Sequence, residues 1–311
     1  MTTPNSSTYL AVDAGGTKAE FLLADEKAEL ARVRVGSIKV LHTPPSEAES
    51  NFGSAMEHLT RISGLSPPQI TRTCIGTSGF SVPSVVSWLQ AQHQKYAGGE
   101  LVLCGDEEIA LDAAFHGGRG VLALAGTGSN VVGRTADGRR VRAGGWGPVL
   151  GDEGSGHWIG LEAVRAIFHA IDAHRATTLR DAVLSAWNLD SIEQLVERGN
   201  SFEVNKFSAV TPLVAQCASD GDQVATEVLR SAGLELARLV ALLVRQIEEI
   251  EPQSALPDIA IAGSILGNLA AVRTAMADTL QKTWPNIRVA TKAVDPVQGA
   301  LWRARHPDQK G

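Results

Sequence analysis

The chain has 311 residues, 44% of them hydrophobic and 20% charged, the profile of a folded globular protein with room for two domains of ordinary size. With 28 basic against 34 acidic side chains and a net charge of -6, it lacks the clustered positive charge that nucleic acid requires of a partner. Cys74, Cys104 and Cys217 are too scattered for a disulfide framework or a metal knuckle, no run approaches a membrane span, and the first residues carry no secretory leader. The expected compartment is therefore the cytoplasm, with no membrane and no nucleic acid among the partners.

In chain order, the first informative stretch is "LAVDAGGTKAEFLLAD", beginning at Leu10. It reads as an apolar strand, a turn at Gly15-Gly16-Thr17, a second strand, and a turn at Asp25 before a third strand, "ELARVRV". Next comes "LVLCGDEEIALDAAF". Leu101 to Leu103 read as a strand, and Ile109, Ala110, Ala113 and Ala114 as the inward face of the following helix. Asp106 then falls at a strand's end and a helix N-terminus, where ligands of open α/β sheets collect. Helix capping also accounts for one acid among Asp106, Glu107 and Glu108.

"LALAGTGSNVVGRTAD", beginning at Leu122, repeats the first stretch. The offset is 122 − 10 = 112, and the closing Asp25 and Asp137 keep it, 137 − 25 = 112. Its turn is Gly126-Thr127-Gly128 and its third strand "RRVRAGG", in which Arg139 to Arg142 read as a solvated face. Two such meanders, each followed by helices, predict two similar α/β domains facing one another. Both turns bare their backbone amides, and two of them suit a polyphosphate held from both sides. At the constant offset, Asp13 stands where the second copy has Ala125. A carboxylate at the end of a buried strand needs donors or a cation, and beside a phosphate turn the cation is Mg²⁺, bound directly or through water. An Asp that merely caps the turn is the plainer alternative.

"GGWGPVLGDEGSGHWIG", Gly144 to Gly160, is dense in glycine around Trp146, Asp152 and Glu153. Such a backbone is bent into special conformations or pressed against a ligand, here one with polar groups and an apolar face. Asp222 to Ile250 carries Val224, Val228, Leu229, Leu236, Leu239 and Leu243 at helical spacing and reads as a core helix. "DIAIAGSILGN" gives a strand ending at Gly263-Ser264, suited to close approach of a flat group such as adenine, and "DPVQGALWRARH" a final helix from about Pro296 that packs back on the first domain.

These motifs, "DAGGT", "GDEEIALDAA", "LAGTGSN", "GGWGPVLGDEGSGHWIG", "IAGSI" and "DPVQGA", occur in the order found in the N-acetylglucosamine and glucosamine kinase branch of the BadF/BadG ATPase group. That group belongs to the sugar kinase/actin/heat-shock-chaperone superfamily, and the resemblance runs from about Tyr9 to Trp302. It implies two ribonuclease H-like (actin-like ATPase) domains, each a mixed sheet flanked by helices, with an interdomain cleft. The first would span 1–115 plus 297–311 and the second 116–296. It implies ATP and Mg²⁺ as cofactors, a small amino sugar as partner, and a homodimer.

Carried over by position, the resemblance makes Asp106 the catalytic base and gives Asp13, Gly15, Gly16, Thr17 and Lys18 to the first phosphate loop, with Asp13 on the metal. Thr127 and Gly128 fall in the second loop, with Ser208, Gly263 and Ser264 at the adenosine. Ser78, Asn130, Gly145, Trp146 and Asp152 fall to the sugar. The segment that often supplies a sugar-binding Asn reads "GSIKVLH" here. Its Lys39 could meet a substrate carboxylate, as on N-acetylmuramic acid, but a solvated lysine is the favoured reading.

The implied activity is phosphorylation of the 6-hydroxyl of N-acetylglucosamine or a close amino sugar, with glucosamine or N-acetylmuramic acid as alternative acceptors. An ATPase that activates a partner enzyme would need cysteines for a bridging iron–sulfur cluster, which this chain does not offer. A sugar-sensing regulator would need a helix-turn-helix extension and, as in the related repressors, a zinc-binding cysteine cluster.

Overall fold

The computed structural model describes residues 7–66, 69–201 and 204–307. Residues 1–6, on which the expectation of no leader falls, and 308–311, at the end of the expected first domain, lie outside the described residues. The chain divides into two compact units: one takes the chain up to Gly118 and again from Val294, the other Arg119–Ala293.

The first unit opens with the expected meander, β1 (Tyr9–Ala14), β2 (Lys18–Ala24) and β3 (Glu29–Gly36), paired antiparallel. Asp25 shapes the second turn by accepting the amides of Lys27 and Ala28 at 2.6 and 2.8 Å. After α1 (Pro45–Ser63), β4 (Arg72–Thr77) joins β1 in parallel; after α2 (Pro83–Tyr96), β5 (Glu100–Cys104) joins β4, and α3 (Asp106–Phe115) follows. The sheet order is β3-β2-β1-β4-β5.

Successive side chains of β1 point to opposite faces, so both faces can be buried. Leu10, Val12 and Ala14 pack with Phe52, Met56 and Leu59 of α1 and with Val85 and Leu89 of α2. Tyr9 and Ala11 pack with Ile109 of α3 and with Val297, Ala300 and Leu301 from the far end of the chain. The inward face of α3 matches the expected one only in Ile109 and Ala110. Ile109, Ala110, Leu111 and Asp112 are buried, while Ala113 and Ala114 are only half-buried.

The second unit repeats the plan with β6 (Gly120–Ala125), β7 (Ser129–Arg134) and β8 (Arg140–Gly144). Helices α4 (Gly156–Asp172), α5 (Leu179–Ala186) and α6 (Ile192–Gly199) lead through a 3₁₀ segment, Val204–Val210, to α7 (Thr211–Ser219) and α8 (Gln223–Ile250). Then come β9 (Ile259–Ala262), α9 (Ser264–Asn268), α10 (Ala270–Thr283) and β10 (Val289–Ala293). The order β10-β9-β6-β7-β8 again sets two parallel strands beside an antiparallel meander. Asp222 caps α8 by accepting the Ala225 amide at 2.9 Å, and all six of the helix's expected core residues are buried. The chain then returns to the first unit as α11 (Pro296–Arg305).

The two hairpins differ where the constant offset made them equal. In the first, paired Ala14 and Ala19 enclose four residues, Gly15 to Lys18; in the second, paired Ala125 and Ser129 enclose three, Gly126 to Gly128. Matched at the strand ends, β1 and β6 have the same burial pattern, with Asp13 and Leu124 at the equivalent half-buried place. Leu124, not Ala125, is therefore the counterpart of Asp13.

Candidate active site

In the first unit the parallel strands β1, β4 and β5 end side by side. Ala14 is in register with Thr77, and Gly76 with Cys104, so Asp13, Ser78 and Asp106 gather at one sheet edge. Asp13 is half-buried, and no described residue donates a hydrogen bond to its carboxylate. Burial, followed by the charges of Asp106, Glu20 and Asp295, pushes it from 3.8 to about 7, against the pull of Lys18. Glu20 has cations of its own, Arg32 at 2.6 Å and Arg34 at 3.0 Å, and Arg32 also holds Asp295 at 2.7 Å. Asp13 has none.

Gly105 occupies the N-cap of α3, so Asp106 is the first helical residue rather than the cap. Its Oδ1 accepts the Glu107 amide at 3.0 Å. Glu108 faces the other way: Arg303 of α11 donates to it at 2.9 Å and to fully buried Asp112 at 2.7 Å. Arg303 thus claims Glu108, while Asp106 is the acid of this run whose charge acts on Asp13. The Arg303–Asp112 pair was invisible in the sequence, since 191 residues separate its members.

Both glycine turns contain a glycine that the protein itself does not require. A Cβ on Gly16 or Gly126 would meet nothing within 4 Å, and neither residue has a positive φ. In the second turn the Gly126 and Thr127 carbonyls accept the Gly156 and His157 amides of α4 at 2.8 and 3.1 Å. A trans peptide sets N–H opposite C=O, so the Thr127 and Gly128 amides point away from α4, and no described residue accepts them. In the first turn the Gly15 carbonyl accepts Ser37 Oγ at 3.1 Å, while Gly16, Thr17 and Lys18 are exposed.

Beside the second turn lies a cavity of about 560 Å³ within the second unit. Thr127, Ser208 and Ser264 line it together, and so do Gln216, Asn268 and Leu269, which the sequence reading did not single out. Gly263 is not on its wall. Its φ is 86°, and a Cβ there would run into the Ala125 carbonyl, so glycine is needed for backbone packing rather than for contact with a base. Gly128 is bare for a similar reason: a Cβ would lie 2.7 Å from Asp152 Oδ2.

The loop from Gly144 to Ser155 is pinned at its ends and bare at its tip. Asp152, buried and at φ 59°, takes the amides of Ser129 and Gly147 on its carboxylate; burial raises its pKa nonetheless. Ser129 Oγ donates to the Glu153 carbonyl at 2.8 Å, and the Glu153 side chain meets Arg238 of α8 at 3.1 Å. Arg142, from the expected solvated face, is exposed but employed: it donates to the Gly145 carbonyl at 2.8 Å and lies 5.2 Å from the Trp146 ring centre. A Cβ on Gly145 would lie 2.9 Å from Asn130 Cβ, and one on Gly151 3.3 Å from Trp146 Cβ. Asn130, Gly145, Trp146 and Asp152 therefore share one neighbourhood, with Trp146 69% exposed.

Lys39 departs from its expectation. It is half-buried, and its ammonium donates to Ser78 Oγ.

Two five-stranded mixed sheets of matching order, each flanked by helices and headed by a glycine hairpin, define the actin-like ATPase fold. The chain belongs to the BadF/BadG/BcrA/BcrD ATPase family, whose model matches residues 10–304. It is 28% identical to the N-acetylmuramic acid/N-acetylglucosamine kinase of Clostridium acetobutylicum, over 95% of this chain and 97% of that one. It is 26% identical to the N-acetyl-D-glucosamine kinase of Dictyostelium discoideum, over 94% and 96%. A Chromobacterium violaceum protein, solved as a candidate N-acetylglucosamine kinase, shares the fold with a TM-score of 0.70 at 24% identity, covering 96% of this chain and 99% of its own. Among the described residues no helix is long and apolar enough to cross a membrane.

Proposed function

We propose that the protein transfers the γ-phosphate of ATP to the 6-hydroxyl of N-acetylglucosamine or a close amino sugar. The observation that carries this reading is the cavity of about 560 Å³ beside a turn with two outward amides, a size and setting suited to a nucleotide. The names of the curated relatives support the acceptor class.

On the donor side, the Thr127 and Gly128 amides take phosphate oxygens, Gly16 lets phosphate approach the first turn, and Ser208 and Ser264 meet the nucleoside. On the acceptor side, Asn130 and Asp152 hold sugar hydroxyls and Trp146 offers its ring to the apolar face. Asp106 takes the proton from the attacking hydroxyl, a contribution of about 10² to 10⁴ in rate.

The residues present suit Mg²⁺. Asp13 is a carboxylate without hydrogen-bond donors among the described residues, pushed up to about 7 by burial and by three neighbouring acids against the single opposing charge of Lys18. No group of three candidate ligands exists among the described residues, which fits an ion that keeps its waters and leans on phosphates. Asp13 would hold it, through water; once bound, it supplies neutralising charge to the phosphates.

ADP release measured over a panel of amino sugars tests the reading. Turnover should rise well above the sugar-free background with an N-acetylhexosamine. Equal ADP release with and without every sugar would refute it.

A further inference from the structure

Lys39 stands at the sheet edge of the first unit that carries Asp13 and Asp106, and its backbone is fixed there. Its amide donates to Ser37 Oγ at 3.1 Å, and Ser37 Oγ donates in turn to the Gly15 carbonyl at 3.1 Å. Asn51 donates to the Ser37 carbonyl at 2.9 Å, Ile38 is buried, and the amides of His42 and Thr43 close a turn on the Lys39 carbonyl. From that base the ammonium reaches Ser78 Oγ, just past the end of β4.

Ser78 is one strand spacing, about 4.8 Å, from the neighbouring strand ends that lead to Gly15 on one side and Asp106 on the other. Phe80 ties the same loop to the start of α3, with its ring 3.3 Å from where Gly105 would carry a Cβ. Lys39 makes no ion pair among the described residues. An ammonium has three donors and a serine hydroxyl occupies one of them; holding the charge half out of water without a counter-charge is costly. Two donors remain for an anion at the acceptor edge. One ammonium beside one hydroxyl matches the two oxygens of a carboxylate. A carboxylate carries one negative charge where a phosphate carries up to two, so beside the Asp13 and Asp106 carboxylates it meets the smaller repulsion.

We propose that Lys39 is a specificity-determining residue which, with the Ser78 hydroxyl, binds a carboxylate carried by the acceptor amino sugar. This rests on the kinase reading of the same site. A hydrogen bond to a charged group is worth about 10- to 100-fold in affinity. An acidic amino sugar is thus preferred over a neutral one of the same shape, mainly through KM.

The test compares N-acetylmuramic acid with its methyl ester, which keeps the shape and removes the charge, and with N-acetylglucosamine, by ADP release from the full-length protein. The parent should favour the acid over the ester by about 10- to 100-fold in kcat/KM. Lys39→Met should bring that ratio close to one by raising KM for the acid, and Lys39→Arg should restore much of it. Isothermal titration of the acid and the ester, without nucleotide, should show the same loss of preference in Lys39→Gln. An equal preference in the parent and Lys39→Met, or a raised KM for ATP in place of the acid, overturns the proposal. Turnover of neutral sugars alone by the parent overturns it and leaves the kinase reading intact; no turnover with any amino sugar overturns both.

Discussion

Replacing Asp13 by Asn should stabilise the ligand-free protein at neutral and alkaline pH while removing its response to magnesium nucleotide. A carboxyl held at about 7 rather than 3.8 resists ionisation by about 4 kcal/mol, at 1.36 kcal/mol per pH unit. The folded state binds this proton more tightly than the unfolded state does. Stability is therefore lost as pH rises from about 4 through about 7, and the whole penalty stands above that. Asn keeps the shape and carries no charge, so it escapes the penalty. At roughly 2–4 °C per kcal/mol, the variant should melt several degrees above the parent at pH 8, by a margin that widens between pH 5 and 7 and then levels off. Scanning calorimetry across that range, with and without Mg·ATP, reads both effects: the parent should gain stability from the ligand and the variant should gain far less. A variant that melts below the parent at pH 8, or a difference independent of pH, would refute the reasoning.

Asp106→Asn should lower kcat by about 10² to 10⁴ while changing sugar Kd much less; near-full kcat in steady-state assays would assign the base elsewhere. Gly16→Ala should melt like the parent, because its Cβ meets open space, yet raise the KM for ATP about tenfold or more. Gly263→Ala should instead lower Tm, since its φ of 86° and the Ala125 carbonyl oppose any side chain, at a cost of about 1–3 kcal/mol in backbone strain alone. Arg303→Met should destabilise the protein by about 3–5 kcal/mol in chemical denaturation, by leaving Asp112 buried without its cation, and adding Asp112→Asn should recover part of the loss.

The meanders were legible because glycine and Asp punctuate them locally and their strands are short apolar runs. α8 was legible because its buried stripe follows the helical period over many turns. The relation between the two turns was not. A constant offset of 112 hides a one-residue difference in turn length, because register is set by pairing across the hairpin and not by spacing along the chain. Asp106 could be picked out, but not separated from Glu107 and Glu108, because the cation that claims Glu108 arrives from residue 303. Lys39 looked solvated because Ser78 lies past the end of a strand far along the chain, and the acids that surround Asp13 include Asp295 from the distant end of the first unit. Such pairings leave no local pattern. Gly263 showed that a glycine was needed, but not whether a ligand or the protein's own backbone demanded it.

The return of α11 to the first unit bears on how the protein is made. β1 leaves the ribosome before every other described strand, yet the face of its sheet that α3 and α11 share stays only partly covered, and Asp112 stays without Arg303, until residues 297–304 have been synthesised. The second unit, contained within Arg119–Ala293, has all its strands by then and can fold while the chain is still growing. Order of completion thus runs against order of synthesis: the half that begins first finishes last. A chain released between β10 and α11 would carry a finished second unit beside an unfinished first one, with Asp13 and Asp106 at the edge of a sheet that lacks its last helix. Translation errors that shorten the chain would then yield an inert product open to proteolysis rather than an ATPase cut loose from its acceptor.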